Sequence, residues 1–384
     1  MIKKTIIAIA ILSSSSTYSA QDLKMPTVDL TQTMPPPVRF ESPEHKSIGT
    51  AVMLRMPGPL DDPSTVKAKP GDAVWVKNYT TSTGTSRLTY ADIVWMSGDL
   101  IAEPGESIGL SNTPEKSLDL NLAAYEKYQS YIPDILDVYR QMQDDLNSQI
   151  NSGNKLDISN KYDFRFNSAT GGWGSIFSLI NWGLYLNLAD SNFDHFGKQA
   201  VKTYLTAHQK ALKIAANATS IDDLRAAYFV DAFGAHFLSD LFAAGHIRVP
   251  RAEMAQLCNS FMHSISLAAK GMHDMDGDSG LTFVNGRGDT WFGKGDKNYY
   301  TKENTMDRAR VVDTLQQSVD QVYRAFLNKD PNFEANKTAM LQIMPDIDAT
   351  KAKNRETNPP LYFVSDDGNA IYINEKRSTS RFCN

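Results

Sequence analysis

The apolar residues of this chain recur mostly at the three- and four-residue spacing of amphipathic helices. Residues 118–150 show that spacing on both sides of Pro133, which predicts two helices divided near the proline. Ser220 is followed by acidic residues and is a good helix N-cap. Helices are therefore predicted over 118–150 as a pair, 176–216 as one or two, 222–244, 251–272, and as a further pair between 305 and 350.

Strand-like patterns are short and lie towards the two ends of the chain. Residues 51–54 and 73–76 alternate with proline and glycine turns, and "LYFVSDDGNAIYI" has the form of a hairpin around 366–369. No internal repeat or linker interrupts the rest of the chain. We predict a mainly α fold, with one helical domain over 45–350, small β additions, and a C-terminal hairpin and tail over 351–384.

The N-terminal residues differ in composition from the rest. Lys3 and Lys4 precede an apolar run over 5–12, and serines then lead to a small residue at Ala20. This pattern is typical of a secretory signal peptide, predicted over 1–20, and its apolar run is too short to span a bilayer. Residues 21–44 are rich in proline and polar residues and are predicted to form an extended arm. We therefore expect a secreted protein that is periplasmic in transit.

Charge and cysteine content bear on the partners of an exported protein. The chain has 39 basic and 44 acidic residues, and loss of Lys3 and Lys4 would change its net charge from −5 to −7. Such a surface does not favour polyanions, so no nucleic-acid partner is expected. The two cysteines, Cys258 and Cys383, would lie in an oxidising compartment, which predicts a structural disulfide between them.

The stretch "AHFLSDLFAAGH" over 235–246 carries two histidines and an aspartate in an otherwise apolar run. His236 and Asp240 are four residues apart, so a helix projects both from one face. A buried aspartate without a partner is costly, and a divalent cation offsets that cost because imidazole and carboxylate are both zinc ligands. Gly245 is expected to end the helix and to let His246 turn towards the same place. The run therefore predicts a metal site.

This spacing resembles the central helix of the zinc-dependent phospholipase C and P1-type nuclease superfamily. The longer run "AHFLSDLFAAGHIRVPR" is similar to a branch of secreted Gram-negative zinc phospholipases C. In that superfamily, ligands for a cluster of up to three zinc ions follow one another in a set order along a helical fold. Over 45–296, the segments "SPEHKSIG", "IVWMSGDL", "NFDHFG" and "GMHDMDGDSGL" match the remaining positions of that order. The resemblance implies metal ligands at His45, Asp99, His195, His236, Asp240, His246, His273 and Asp276.

The number of zinc ions implied is two or three. Family members with the best-known trizinc site use the N-terminal tryptophan of the mature chain as a ligand. Here the predicted mature chain begins near Gln21, and no tryptophan follows before Trp75. A third ion would therefore be missing or bound in another way.

The last histidine of the ligand order is the least well defined. The family usually has an acid four residues after it, but position 277 is a glycine. Asp276, three residues after His273, is preferred for that role, and Asp274 is the alternative. His263 competes with His273, but an apolar residue, Leu267, follows it at the four-residue spacing.

The resemblance implies a phospholipase C that hydrolyses phosphatidylcholine or a related glycerophospholipid at a membrane or micelle surface. Its products would be diacylglycerol and a phosphorylated headgroup, formed by attack of a zinc-activated water. Asp99 is both a ligand candidate and the candidate general base. Trp291, Phe237 and Phe242 are candidate contacts for acyl chains or a quaternary amine, with core packing the alternative for the two phenylalanines.

Two other functions stay open on the sequence alone. P1-type nucleases share the ligand order and differ in a base-binding pocket that the sequence does not show. The second is an exported, non-catalytic protein with structural zinc, although such sites are usually closed sets of four ligands, often with cysteines. His208 is expected to be structural. The sequence has neither G-x-S-x-G nor H-E-x-x-H, so serine esterase and zincin chemistry lack support.

Overall fold

The computed structural model describes residues 42–57, 67–82, 84–152, 159–173, 181–258, 262–295, 298–375 and 378–383. The signal peptide predicted over 1–20 lies outside them, as does most of the arm predicted over 21–44; residues 42–44 are helical rather than extended. The predicted mainly α fold is confirmed. The helices are α1 (Ser42–Ala51), α2 (Tyr90–Met96), α3 (Pro114–Lys127), α4 (Ile132–Ser152), α5 (Ser159–Ala169), α6 (Leu184–Asp190), α7 (Gly197–Asn217), α8 (Ile221–Asp240), α9 (Ala244–Ile247), α10 (Arg251–Leu257), α11 (Met262–Ser279), α12 (Thr305–Asn328), α13 (Phe333–Ile343) and α14 (Ile347–Asn354).

Helix α8 is surrounded by other helices. It begins at a capping box, in which Ser220 Oγ accepts a hydrogen bond from the Asp223 backbone N–H at 3.1 Å and the Asp223 carboxylate accepts one from the Ser220 N–H at 2.9 Å. Every residue over 227–240 is buried, as expected for a helix that is apolar on all sides. Helices α2, α7 and α12 all pack against it. Even so, within the described part of the chain no helix combines the length and apolarity needed to cross a membrane.

The predicted helix boundaries are partly wrong where the chain turns. The predicted division near Pro133 is observed between α3 and α4. The helix predicted over 251–272 is two helices, α10 and α11, because Cys258 takes an extended backbone where it meets Cys383. The pair predicted between 305 and 350 is three helices, separated at Pro331 and Pro345, which lack the N–H that a continuing helix requires.

The described strands pair locally and antiparallel. The predicted C-terminal hairpin is formed, and a further strand that reaches Cys383 extends it to a three-stranded sheet. This sheet shares a small apolar core with α10 and α11 that includes Met254, Met272, Tyr362 and Ile371. The strands are β1 (Met53–Met56), β2 (Lys67–Pro70), β3 (Trp75–Thr81), β4 (Gly84–Thr89), β5 (Leu281–Val284), β6 (Thr290–Gly293), β7 (Tyr362–Val364), β8 (Ile371–Glu375) and β9 (Ser378–Cys383).

The predicted disulfide between Cys258 and Cys383 is present and closes a loop with a sequence separation of 125. We expect its reduction to lower the free energy of unfolding by up to ~4–5 kcal/mol, because the open chain gains conformational entropy when unfolded. Denaturant titrations with and without reductant would measure this difference. A Cys258→Ser/Cys383→Ser variant is the control and should not respond to reductant; an unchanged midpoint for the natural chain would contradict the prediction.

Candidate metal centre

Six of the predicted ligands come together where α8 ends. His45 lies on α1, Asp99 in the turn after α2, and His195 in a 3-10 turn before α7. His236 and Asp240 lie on α8, and His246 lies on α9. They form two groups, and within each group the possible ligand atoms all lie within 4.8 Å of one another. Each group could therefore hold a metal ion; the groups are His45, Asp99 and His236, and His195, Asp240 and His246.

The carboxylate of Asp240, a member of the second group, is fully buried and also lies near His45 and His236 of the first group. His195 Nδ1 is 2.9 Å and His236 Nε2 is 3.6 Å from its Oδ2, and His45 Nε2 is 3.4 Å from its Oδ1. Even so, neither oxygen has a donor in hydrogen-bonding geometry. Burial raises the pKa of Asp240, but the nearby charges of His246, His236 and His195 outweigh burial and hold that pKa below its usual range. An ionised, buried carboxylate whose neighbours are poorly placed to donate is costly, and a bound cation would remove that cost.

The histidine rings are held by their other nitrogen atoms. His236 Nδ1 donates to the Val94 carbonyl at 2.8 Å, and His246 Nδ1 donates to the His195 carbonyl at 2.9 Å. His45 Nδ1 lies 2.8 Å from the hydroxyl of Ser239. A ring whose Nδ1 donates in this way keeps its Nε2 lone pair for a metal, which is the usual arrangement of metal-ligating histidines. Burial, followed by the charge of His45, also lowers the pKa of His236, which favours the neutral form that binds metal.

His273 lies at the edge of this cluster, and Asp274 rather than Asp276 lies beside it. His273 Nε2 is 3.1 Å from His246 Nε2, and its Nδ1 is 3.0 Å from the Asp274 carboxylate. Asp276, which the sequence favoured, is fully buried elsewhere and accepts two hydrogen bonds from Arg248, at 2.6 and 2.8 Å. This paired contact satisfies a carboxylate that would otherwise be buried without donors. The competing His263 side chain lies outside the described residues.

Two glycines allow the ligands to approach the backbone closely. Gly98 has φ +78°, and a Cβ there would lie 2.7 Å from His195 Nε2. A Cβ at Gly245 would lie 2.6 Å from His273 Cδ2. The prediction that Gly245 ends the central helix is wrong. Helix α8 ends at Asp240, and Gly245 and His246 form part of α9. These positions need glycine because the ligand side chains occupy the space beside them.

We expect Gly98→Ala to weaken metal binding by about 10- to 100-fold, the loss seen when a group that orients a ligand is removed. The added methyl group would strain a positive φ and displace His195. Gly105→Ala is the matched control, because Gly105 has φ +79° but nothing within 4 Å of its Cβ position. Competition with a zinc chelator would measure both affinities. Equal affinities in the two variants would show that the contact with His195 does not matter.

The cluster opens into a cleft of about 470 Å³. Asp99 is 30% exposed, and burial raises its pKa more than the charges of His195 and His45 lower it. The opposite part of the lining is aromatic and comes from α5, α6 and the turn before α6. We call it the aromatic wall: Tyr162, Phe166, Trp182 and Tyr185.

The aromatic residues named from the sequence lie elsewhere. Phe237 packs against the rings of His195 and His236, with centroids 5.0 and 5.1 Å away. Phe242 and Trp291 stack on each other in the main core. The sequence contains the aromatic wall in "YDFRF" and "WGLYL", but no local signal relates these segments to the ligands.

His208 belongs to a separate buried network between α7, α8 and α12. Its Nδ1 lies 3.0 Å from the Asp231 carboxylate, and its Nε2 lies 2.7 Å from Gln321 Oε1. Asp231 also accepts hydrogen bonds from Tyr90 and Ser318. His208 is in neither ligand group, so its position is that of a structural residue.

No family model, curated protein or solved structure matches this chain. The residues themselves define a mainly helical protein with a disulfide and two His/Asp groups, each of which could hold a metal ion.

Proposed function

We propose that this protein is a secreted zinc-dependent phospholipase C. It would hydrolyse the phosphodiester of phosphatidylcholine or a related glycerophospholipid to diacylglycerol and a phosphorylated headgroup. The observation that carries the proposal is the buried carboxylate of Asp240, which lies within 4.0 Å of histidines of both His/Asp groups, in a cluster that opens into a cleft with an aromatic wall. The type of reaction proposed is the one implied by the resemblance of residues 45–296 to the zinc phospholipases C.

Zinc fits the donor set. Imidazole nitrogen and carboxylate oxygen are both common zinc ligands, and neither group contains a cysteine. Two ions would be held by the two groups, and His273 with Asp274 offers donors for a third beside His246. Three ligands in each group leave room for substrate, which separates a catalytic site from a closed structural one.

Asp99 is proposed to move the proton. It is the partly exposed member of its group, and its oxygens lie 3.8 Å from His195 Nε2 and 3.9 Å from His236 Nε2. Asp99 would accept a proton from the attacking water and return it to the diacylglycerol oxygen as the phosphorus–oxygen bond breaks. Bound zinc supplies Lewis acidity, which lowers the pKa of water and offsets negative charge on the phosphodiester.

The apolar side chains of the cleft support a lipid as substrate. Phe166 and Trp182 present apolar surface to the cleft, and Leu267 lines the cleft while remaining 70% exposed. Apolar side chains in these places would contact the glycerol backbone and acyl chains. The chain's net charge of −5 does not attract a polyanion.

The test is hydrolysis by the purified mature protein, assayed with phosphatidylcholine, phosphatidylglycerol and single-stranded nucleic acid, each with and without a zinc chelator. Chelator-sensitive release of diacylglycerol is the expected result. Cleavage of nucleic acid alone would assign the protein to P1-type chemistry. No hydrolysis of any substrate by the zinc-loaded protein would favour a non-catalytic zinc protein.

A further inference from the structure

A buried cation lies in the same cleft, outside the two ligand groups. Arg251, the first residue of α10, is only 6% exposed and lines the cleft together with His195, His246 and His273. Its Nη2 donates to the Ala189 carbonyl, while its Nε is buried without a hydrogen-bond partner. An arginine carries five donors in a planar fork, so this guanidinium has unused capacity for hydrogen bonding.

One aromatic ring relates Arg251 to the metal ligands. The guanidinium carbon lies 5.5 Å from the centroid of the Phe196 ring. The same ring stacks on His246, with centroids 4.9 Å apart and planes 16° apart. The Phe196 ring therefore lies between Arg251 and the ligand candidate His246. A phosphodiester held at the two His/Asp groups would leave the guanidinium available for another part of the same molecule.

The space beside Arg251 is small, and apolar residues form most of its lining. A void of about 40 Å³ is bounded by Arg251, Asp190 and Ser266, among others. The Ser266 hydroxyl donates to the Asp190 carboxylate at 2.8 Å. Burial lowers the pKa of Arg251 to about 10 although the charge of Asp190 raises it, so the side chain stays cationic at neutral pH.

We propose that Arg251 forms a subsite for a second anionic group of the substrate, a carboxylate or phosphate carried by the headgroup. The inference rests on the proposed function, since it assumes that the scissile phosphodiester binds at the His/Asp groups. Acyl chains carry no charge, so the second anion belongs to the headgroup. A guanidinium fork pairs with carboxylate and phosphate through two parallel hydrogen bonds. Among the glycerophospholipids that the proposed function allows, Arg251 would thus favour a headgroup with a second anion over the choline headgroup.

Two headgroup fragments that differ in one carboxylate test the subsite. O-phosphoserine and O-phosphoethanolamine share the phosphate and the amine, and only the first has a carboxylate. In calorimetric titrations of the full, zinc-loaded protein we expect phosphoserine to bind at least about tenfold more tightly, the effect of one charge-assisted contact. Arg251→Gln should remove this preference and leave the affinity for phosphoethanolamine within about twofold.

Two further variants keep the test decisive. Arg251→Lys retains the positive charge but has fewer donors, so its preference for phosphoserine should lie between those of the natural protein and Arg251→Gln. It also provides the test if the glutamine variant does not fold. Arg225→Gln is the matched control, because it removes an arginine that pairs with Asp222 and packs over Trp75, outside the cleft lining. It should bind both fragments like the natural protein.

The outcomes separate this inference from the proposed function. Equal binding of the two fragments, or equal weakening of both by Arg251→Gln, would overturn the subsite while leaving phosphate binding at the metal centre intact. An Arg251-dependent preference in a protein that releases no diacylglycerol would support the subsite and overturn the phospholipase proposal. Binding of neither fragment would overturn the subsite as well.

Discussion

Asp240→Asn should purify with fewer bound zinc ions than the natural protein and lose on the order of a thousandfold in activity, about 4 kcal/mol of transition-state stabilisation. Among the described residues, Asp240 is the one whose carboxylate lies within 4.0 Å of His45, His195, His236 and His246, so both ligand groups depend on its charge. An amide keeps the shape of the side chain but removes that charge. Elemental analysis and steady-state kinetics on the same preparation would measure the two losses.

Asp231→Asn is the matched control for this variant. Asp231 lies on the same helix, is equally buried, and hydrogen-bonds to Tyr90 and Ser318 rather than to the metal groups. The Asp231→Asn variant should be less stable than the natural protein but retain its zinc. We expect the same of His208→Ala, because His208 belongs to the same network. If Asp231→Asn lost as much zinc as Asp240→Asn while remaining folded, the assignment of Asp240 as a metal ligand would be wrong.

Chelation should abolish hydrolysis, and the purified protein should contain at least two zinc ions per chain, one for each ligand group. The thermal midpoint should also fall, because an ion present at a thousand times its dissociation constant stabilises the folded state by ~4 kcal/mol. Returning zinc should restore both properties, whereas magnesium, which prefers all-oxygen sites, should not.

Metal counting and calorimetry on the chelated and reloaded protein would decide this prediction. A fully active preparation with one zinc ion or none would exclude the two-group assignment. If another transition metal restored activity and stability at similar occupancy, the two-group site would stand and its metal would be reassigned.

The central ligands could be predicted because their geometry is local. His236 and Asp240 are one helical turn apart, so any helix through them projects both side chains the same way. The Ser220 cap, the break near Pro133 and the C-terminal hairpin were predictable for the same reason, since each depends on neighbouring residues. The mainly α fold follows from the sum of such local patterns.

Other parts of the site depend on distant residues and could not be predicted. The sequence favoured Asp276 over Asp274, but the side chain that decides between them is Arg248, which lies 28 residues from Asp276 and hydrogen-bonds to it. The place of Arg251 in the cleft could not be predicted either, because the side chain it packs against, Phe196, is distant in the sequence. The aromatic wall is formed by two helices whose packing no periodicity reveals.

The ligands of the group formed by His45, Asp99 and His236 are far apart in the chain, and this has a consequence for assembly. His45 and His236 belong to one group although most of the fold lies between them. An ion bound there cross-links the first described helix to the end of α8 and closes a long loop. This group needs α1, the turn after α2 and α8 to be packed together, so tight loading of its ion is coupled to folding over most of that length. In a chain that is exported before it folds, the metal would be acquired outside the cytoplasm, and early fragments would not bind it there.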